Sequence, residues 1–292
     1  MPNNNITVAV WMVTYNQQEY IEQAILSIIN QKTNINFKLF IGDDHSSDNT
    51  AFICKKLAEK YPNKIDLTIN VNNLGPQQNA LNIYKKCIDS KAKYIAMCEG
   101  DDYWIDEYKL QKQIDFLEAN PDFNICFTRA YLLKNNKLEP HKIPKINQNN
   151  IYFYDDLLKY HNFIATASVL IRTDDLPMLG SEFPNWFKQI PYGDMGLYLL
   201  ACKTKKIKCL PDFTTVYRVH LAGLWSGMDK INQIKASLQF HQIIYPHLTI
   251  QQQNIVKQKQ KELVNKLALI YTKNKLKKQF FKFKFQNKYK LK

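Results

Sequence analysis

Short apolar runs alternate with amphipathic segments along the first part of the chain. The apolar runs are rich in β-branched and aromatic residues and have the length of a buried strand; they cover residues 6–14, 37–42, 65–71 and 94–98. The segments between them place apolar residues at helical spacing, as at Ile21, Ala24, Ile25, Ile28 and Ile29. This alternation predicts an α/β fold with a Rossmann-like, mostly parallel sheet flanked by helices. Ligands of such a sheet bind beyond the carboxyl ends of its strands.

The pattern is less regular after residue 105. It predicts helices at residues 106–119, 154–160 and 193–202, strands at 124–132, 166–171, 207–210 and 214–219, and a surface loop or flap at 134–150. Residues 231–245 and 250–271 again have helical spacing. We therefore expect a domain over residues 1–228, followed by a helical and basic C-terminal extension over residues 229–292.

The fourth predicted strand ends in a cluster of acids, Glu99, Asp101 and Asp102, with Gly100 in a position to form a sharp turn. Carboxylates this close repel one another. A hard divalent cation with oxygen ligands, Mn²⁺ or Mg²⁺, would relieve that repulsion and would in turn hold a phosphate. The alternative is that the acids cap the helix that follows, but capping requires one acid and this cluster has three.

The composition narrows the class of protein. Hydrophobic residues make up 45% of the chain and aromatic residues 13%, which is enough for a folded core. The six cysteines are scattered beside apolar residues without a CxxC pair, which indicates reduced thiols and argues against a zinc site. The first residues carry no positive charge, and no stretch reaches the roughly 20 apolar residues of a membrane span. We expect no signal peptide, no transmembrane helix and a cytoplasmic location.

The formal net charge of +14 is concentrated near the end of the chain. Residues 273–292, from Lys273 to Lys292, contain nine lysines and no acid, which leaves about +5 on the other 272 residues. The lysines interleave with apolar residues: Leu276, Phe280, Phe281, Phe283, Phe285 and Tyr289. This composition is typical of segments that bind an anionic membrane surface, so we expect peripheral contact with the inner face of the cell membrane. A solvated, disordered tail and contact with nucleic acid are the alternatives.

Three segments at successive strand ends resemble the motifs of one enzyme family. They are Val13-Thr14-Tyr15-Asn16, Asp43-Asp44-His45-Ser46-Ser47-Asp48-Asn49-Thr50 and Glu99-Gly100-Asp101-Asp102-Tyr103-Trp104. In this order they resemble the nucleotide-sugar half of a family 2 glycosyltransferase with a GT-A fold. Two later segments, Gly193-Asp194 and Tyr217-Arg218-Val219-His220, are similar to further elements of that family. The resemblance covers roughly residues 6–226. It implies a nucleotide-sugar half over about residues 1–105 and an acceptor half over about 106–228.

The resemblance assigns residues to the nucleotide. It implies that Asp43 accepts a hydrogen bond from the uracil N3–H of a UDP-sugar and that Thr14, Tyr15 and Asn16 line the same pocket. The alternative for the Asp43-Asp44 pair is that one of them caps the next helix, although Ser47 and Asp48 are better spaced for capping. The alternative for Tyr15 is ordinary packing.

The family's Asp-x-Asp element corresponds to Glu99-Gly100-Asp101, with glutamate in the first place. The resemblance implies that Asp101 binds the metal and that Glu99 lies nearer the ribose or reaches the metal through water. Asp102 would orient the loop or the sugar, and Trp104 would pack beneath the loop. The longer side chain at position 99 leaves direct ligation by Glu99 open.

Asp194 corresponds to the family's general base. In an inverting transfer an acceptor hydroxyl attacks the anomeric carbon while the diphosphate leaves on the opposite face, and one carboxylate takes the hydroxyl proton. His220 is expected to complete the metal shell or contact phosphate, beside Arg218, which would screen the diphosphate. The alternatives are that Asp194 is an ordinary helix N-cap and that His220 is a structural residue of its strand.

The resemblance therefore implies an inverting, metal-dependent enzyme that moves a single sugar from a UDP-sugar to a glycan or lipid-linked acceptor, in the synthesis of cell-surface polysaccharide or lipopolysaccharide. The Gln-x-x-Arg-Trp element of processive members is absent. A nucleotidyltransferase is one alternative, but it should carry a Gly-rich basic loop after the first strand, and residues 15–18 contain neither glycine nor a basic residue. A catalytically inactive protein that binds sugar nucleotides or a membrane is the other, because of Glu99.

Overall fold

The computed structural model describes residues 6–160, 162–174, 176 and 183–273. Strands and helices alternate in its first half as the sequence pattern predicts, with bounds that differ from the predicted ones by at most a few residues. These elements are β1 Val8–Thr14, α1 Ile21–Ile29, β2 Phe37–Asp43, α2 Thr50–Lys60, β3 Ile65–Ile69, α3 Pro76–Asp89 and β4 Tyr94–Met97.

The second half adds strands and helices in a less regular order. They are β5 Tyr103–Trp104, α4 Lys109–Ala119, β6 Phe123–Lys134, β7 Lys137–Pro140, β8 Ile151–Tyr152, α5 Tyr154–Tyr160, β9 Val169–Arg172, α6 Gly193–Ala201, β10 Lys206–Arg218, α7 Lys230–Ile244 and α8 Ile250–Lys273. Short 3₁₀ helices occupy Thr166–Ser168, Asn185–Lys188 and Tyr245–His247. The residues at 166–168, predicted as the start of a strand, therefore form a helical turn before β9.

Two further sequence predictions in this half are wrong in detail. The separate strands predicted at 207–210 and 214–219 are one strand, β10, because register shifts on either side of Phe213 accommodate Pro211, which has no N–H to donate. The loop predicted at 134–150 contains β7, which pairs with β6. Asn135 and Asn136 connect these strands with φ of 48° and 59°. Asparagine tolerates this left-handed region, which a tight hairpin turn requires.

The strands form a sheet in the order β3-β2-β1-β4-β9-β6-β10-β5, with β7 beside β6 and β8 beside β10. β3, β2, β1 and β4 are parallel neighbours. β9 runs antiparallel between β4 and β6, while β10 is parallel to β6. The predicted α/β architecture is confirmed. Because the first four strands are parallel, the loops that follow β1, β2 and β4 meet at one edge of the sheet.

Alternating residues of the central strands face two apolar cores. Val8, Val10 and Met12 of β1 pack in the core that contains α1, α2 and α4. Ala9 and Trp11 of the same strand pack in the core that contains α3, α5 and α6. Both faces of the sheet are therefore covered, which explains why these strands are continuous apolar runs. Each fully buried large side chain contributes about 1.5–3 kcal/mol to folding.

The predicted C-terminal helices are present as α7 and α8. They pack on each other through Ile234, Leu238, Leu263, Leu267 and Tyr271. In the described ranges, no helix combines the length and apolar character that crossing a membrane requires. The basic tail predicted at residues 273–292 lies outside the described residues from residue 274 onward, so membrane contact stays a prediction.

Candidate active site

The acidic turn (residues 99–102) between β4 and β5 packs directly against the end of β1. The N–H of Gly100 donates to the carbonyl of Val13 at 3.0 Å. A Cβ atom at Gly100 would lie 2.5 Å from Gln17 Oε1 and 2.8 Å from the Thr14 side chain, so a larger residue would push the two loops apart. Glycine at this position lets the acidic turn approach the loop that follows β1.

Asp101 and His220 meet at this turn although 119 residues separate them. His220 Nε2 lies 2.9 Å from Asp101 Oδ2, and the two side chains are 17% and 16% exposed. A carboxylate and an imidazole are common ligands of divalent metals, and both were predicted to bind one. The structure brings this predicted pair together at a place that solvent still reaches.

The residues around this pair fit a divalent cation that substrate phosphates help to hold. Within the described ranges, no group of three or more His, Cys, Asp and Glu side chains is arranged to bind a metal. Mg²⁺ and Mn²⁺ sites that use one or two protein ligands are completed by water and phosphate oxygens. Glu99 Oε2 is also buried without a hydrogen-bond partner among the described residues, and a cation beside it would supply one favourable contact. Asp101 and His220 would hold the cation.

Arg218 anchors the acidic turn to the end of β10. Its backbone N–H donates to Asp102 Oδ1 at 2.8 Å, and its guanidinium donates to the carbonyl of Asp101 and to Gln23 Oε1. The guanidinium carbon lies 4.8 and 4.4 Å from the ring centroids of Tyr20 and Tyr103. The Arg218 side chain is buried by these contacts. It holds the turn in place, and its predicted contact with a diphosphate stays a prediction.

Two carboxyl groups of the acidic turn, those of Glu99 and Asp102, have raised pKa values. Burial, followed by the charge of Asp101, raises the pKa of Glu99 to about 8. Burial and the charges of Asp101 and Glu99 also raise the pKa of Asp102 well above its usual range. Asp102 is fully buried and accepts from the Arg218 backbone, so it fixes the loop. A bound cation would favour the ionised forms of these acids, which links cation binding to proton release.

We predict that Glu99→Gln stabilises the metal-free protein at alkaline pH. The folded-state pKa of Glu99 lies above the ordinary value of 4.5. The folded state therefore keeps a proton that the unfolded state releases, and the free energy of unfolding falls as pH rises from 4.5 through about 8. Glutamine removes this loss, which is on the order of 4 kcal/mol at pH 8 and close to zero at pH 4. Urea unfolding with a chelator at both pH values measures it.

The control for this prediction is Glu139→Gln, which changes an exposed glutamate on β7. It should alter the free energy of unfolding by less than about 0.5 kcal/mol at either pH. An equal effect of Glu99→Gln at pH 4 and pH 8 would contradict the proposed protonation of Glu99.

The loops that follow β1 and β2 are joined by hydrogen bonds. The N–H of Asn16 donates to Ser46 Oγ at 2.9 Å, and the N–H of Ser47 donates to Asn16 Oδ1 at 2.8 Å. Asn16 has a φ of 52°, in the left-handed region that asparagine tolerates better than most residues. The N–H of Gln17 donates to Thr50 Oγ1 at 2.7 Å, so the two loops form one wall.

A cavity of about 210 Å³ lies against this wall, lined by residues 15–20, Asp48, His220 and Ala222. Tyr15 is 48% exposed there, so it does not pack in the interior. Thr14 is buried behind it and donates its hydroxyl to Gln17 Oε1 at 2.8 Å. Tyr15 and Asn16 thus line a cavity that also reaches His220, while Thr14 supports its wall.

Neither acid of the Asp43-Asp44 pair caps α2. The carboxylate of Asp43 is fully buried and accepts from the N–H and hydroxyl of Ser46 at 3.1 and 2.5 Å. Asp48 serves α2 instead, accepting from the N–H of Thr50 at 2.9 Å. Asp44 stabilises the segment before α3, where its carboxylate accepts from Asn70, Leu74 and Gly75. The contact of Asp43 with a base stays a prediction.

Asp194 lies in the first turn of α6. Its Oδ1 accepts from the N–H of Met195 at 2.7 Å, and its Oδ2 accepts from the Asn162 side-chain amide. Burial raises the pKa of Asp194 above its usual value, and the two hydrogen-bond donors offset part of that rise. The charge of Asp194 is also among the causes that raise the pKa of Glu99, so the two carboxyl groups share one environment. Neither donor is typical of an N-cap, which accepts from residues two or three positions later.

Tertiary contacts add residues that sequence reasoning missed. Lys109 is fully buried, and its ammonium lies 4.2 Å from the centre of the Trp104 ring and 2.7 Å from Gln113 Oε1. Burial lowers the pKa of Lys109 to about 7. Trp104, which follows the acidic turn, is buried and donates its indole N–H to the carbonyl of Ala167 at 2.9 Å. The position of Lys109 in the first turn of a helix gave no signal of this contact.

Comparisons with known proteins identify the family. The sequence profile of glycosyl transferase family 2 matches residues 9–174. The chain belongs to glycosyl transferase family 2. As expected for a member of this family, its fold matches that of a solved GT-A structure: the crystal structure of S. aureus TarS 1-349 in complex with UDP has a TM-score of 0.60 and 16% identity, covering 86% of this chain and 70% of TarS. The predicted resemblance is confirmed at the level of family and fold.

Two curated relatives of this family 2 chain extend the comparison. One is the uncharacterised protein Rv1520 of Mycobacterium tuberculosis (strain ATCC 25618 / H37Rv), 30% identical over 75% of this chain and 60% of its own length. The other is the UDP-Glc:alpha-D-GlcNAc-diphosphoundecaprenol beta-1,3-glucosyltransferase WfaP of Escherichia coli, 28% identical over 74% of this chain and 79% of WfaP. The chain spans only about 60% of the length of the first relatives it matches.

Proposed function

We propose that the protein is an inverting, metal-dependent glycosyltransferase that transfers a single sugar from a UDP-sugar to a glycan or lipid-linked glycan. The observation that carries the proposal is the 2.9 Å contact of Asp101 with His220 beside a cavity lined by the loop that follows β1. Two metal-binding groups beside such a cavity suit a nucleoside diphosphate, whose phosphate oxygens complete the coordination of the cation.

The donor is a UDP-sugar in this proposal. Tyr15 and Asn16 would line the nucleotide pocket, Thr14 would support it, and Asp43 would accept from the base. The support comes from the family membership and from two similar proteins: TarS has been crystallised with UDP, and WfaP is named for UDP-Glc. Glu99 would lie nearest the ribose, and it would be largely uncharged there because burial raises its pKa to about 8.

The cation would be Mn²⁺ or Mg²⁺, held by Asp101 and His220. When bound, it supplies a positive charge that offsets the charge of the leaving diphosphate. The guanidinium of Arg218 holds the acidic turn against the end of β10 through the carbonyl of Asp101. Asp102 stabilises the turn by accepting from the backbone N–H of Arg218. Asp194 would take the proton of the acceptor hydroxyl at its carboxylate, as a general base. Its partly buried position limits competition from water.

The acceptor would be a growing glycan in cell-surface polysaccharide or lipopolysaccharide synthesis. WfaP, which is similar over 74% of this chain, is named for a sugar carried on diphosphoundecaprenol. A lipid-linked acceptor would place the enzyme at the cytoplasmic face of a membrane. Residues 273–292, with their nine lysines and aromatic residues, have a composition suited to that surface.

A donor panel tests the proposal. Purified protein is incubated with UDP-, GDP- and dTDP-sugars, with and without Mn²⁺, and release of the nucleoside diphosphate is followed. We expect release from UDP-sugars that requires the cation. No release from any donor under any condition would favour an inactive binding protein. Formation of a nucleotide sugar from a sugar 1-phosphate and a nucleoside triphosphate would favour a nucleotidyltransferase.

A further inference from the structure

Asn162 contacts the carboxylate of the proposed base. Its side-chain amide nitrogen donates to Asp194 Oδ2, while the backbone N–H of Met195 donates to Asp194 Oδ1 at 2.7 Å. An ionised carboxylate only accepts hydrogen bonds, so the amide must present its nitrogen to it. Each oxygen of Asp194 thus has a donor, one from its own helix and one from the segment that follows α5. Only the second donor can be changed by substitution without changing α6.

We propose that Asn162 is a positioning residue for Asp194, which holds the carboxylate in one orientation and favours its ionised form. This inference rests on the proposed function, since it gives Asn162 a catalytic effect only where Asp194 takes the acceptor's proton. Neither the motif resemblance nor the sequence pattern assigns a role to Asn162.

The titratable groups that respond to the charge of Asp194 are all acids. Three titratable groups respond to its charge: Glu99 beyond β4, Tyr192 before α6 and Tyr198 within α6. None of the three carries a positive charge that would favour the ionised form of Asp194. Burial raises the pKa of Asp194, and the amide of Asn162 and the N–H of Met195 oppose that rise. A partly buried carboxylate with acidic neighbours depends on such donors to remain a base.

The other end of the Asn162 amide argues against a purely structural role. Its Oδ1 is buried and has no hydrogen-bond partner among the described residues. Burying an amide oxygen without a partner costs stability. An aliphatic residue of similar size would avoid that cost but could not donate a hydrogen bond to Asp194. The asparagine is therefore better explained by its contact with Asp194 than by packing.

Titration of Asp194 in the intact 292-residue chain tests the contact without any substrate. NMR of ¹³C-labelled aspartate gives the carboxyl pKa in the native protein, with Asp194→Asn used to assign the signal. We expect the pKa to rise in Asn162→Ala by about one pH unit, the loss of one hydrogen bond to a charged group. It should rise further in Asn162→Asp, which keeps the shape of asparagine but replaces the donor with a second carboxyl group.

Asn124→Ala is the matched control. Asn124 is buried on β6 and donates its amide N–H to the carbonyl of Ala201 at 2.7 Å, so it contacts the last turn of the same helix α6. Loosening α6 at that end should leave the pKa of Asp194 unchanged. An equal rise in Asn124→Ala and Asn162→Ala, or no rise in either Asn162 variant, overturns the proposal.

The pH profile of turnover separates this inference from the proposed function. With a donor sugar that the wild-type protein uses, the acid limb of the kcat–pH profile should move to higher pH by about one unit in Asn162→Ala. The kcat of the variant should then be about tenfold lower than that of the wild-type protein at acidic pH and equal to it at higher pH. The KM for the donor should not change. Turnover with an unmoved limb overturns the positioning role alone. A wild-type protein that turns over no donor overturns the proposed function and this role with it, whatever the NMR titration gives.

Discussion

Asp101→Asn should lower cation-dependent release of UDP by about 10³-fold while leaving the protein folded. Asparagine matches aspartate in size and can still bond to His220, but it lacks the negative charge that a divalent cation requires. A cation that offsets charge on the leaving group supplies several kcal/mol in the transition state, and each tenfold in rate corresponds to about 1.4 kcal/mol. UDP release across a Mn²⁺ titration measures the effect, and thermal unfolding confirms that the variant is folded.

Asp106→Asn is the control for this result. Asp106 lies five residues further along the chain and pairs with Lys112 at 2.7 Å on the surface. Losing that exposed pair should cost no more than about 1 kcal/mol of stability and leave turnover within about twofold. Wild-type turnover in Asp101→Asn would remove the central element of the proposed function.

A double substitution adds a test of the Asp101–His220 pair. If both side chains hold the same cation, Asp101→Asn combined with His220→Gln should lose little more activity than Asp101→Asn alone. Fully additive losses would mean that the two residues act independently, and His220 would then be a structural or phosphate-binding residue.

Asp194→Asn should lower sugar transfer by about 10²- to 10⁴-fold without weakening donor binding. The amide keeps the volume of the carboxyl group and can still accept from the N–H of Met195, but it cannot take a proton. The loss should therefore appear in kcat. Transfer to acceptor gives kcat, and calorimetric titration with UDP and Mn²⁺ gives the binding constant of the same variant.

Asp156→Asn separates a general base from an ordinary helix-end acid. Asp156 also lies in the first turn of a helix, α5, where it accepts from the N–H of Phe153 at 2.9 Å, and burial raises its pKa as it raises that of Asp194. We expect Asp156→Asn to retain turnover within about twofold. Equal losses in the two variants would mean that Asp194 serves its helix and that the base is another residue.

Much of the fold could be predicted because its signals are local. The runs that became β1 and β4 are apolar on both faces, and those that became β2 and β3 are mainly apolar. The helices between them carry one apolar stripe, so each segment specifies its own state. The errors arose where pairing between distant strands determined whether a segment formed a strand. Two strands were predicted at 207–210 and 214–219, yet β10 passes through Pro211 because pairing with β6 continues on either side of the irregularity.

The site could be predicted in part. The acids of residues 99–102, Asp194 and His220 were identified from motifs that resemble a known family, and the parallel strand order places the loops that carry the first motifs at one edge of the sheet. Their roles in binding and catalysis stay predictions. Lys109 and Asn162 were missed because a buried lysine and a single asparagine have no periodicity or spacing that marks them.

The sequence by itself determined the alternation of strands and helices, the acidic turn with its Gly100, and the family to which the chain belongs. Only the tertiary structure decided that Asp101 meets His220, that Arg218 is engaged by the acidic turn, and that Asn162 faces Asp194. The physical reason is the sequence separation of the residues that interact. Periodicity reports interactions between residues within a turn or two of each other, whereas these contacts join segments 32 to 119 residues apart and form only when both apolar cores are packed.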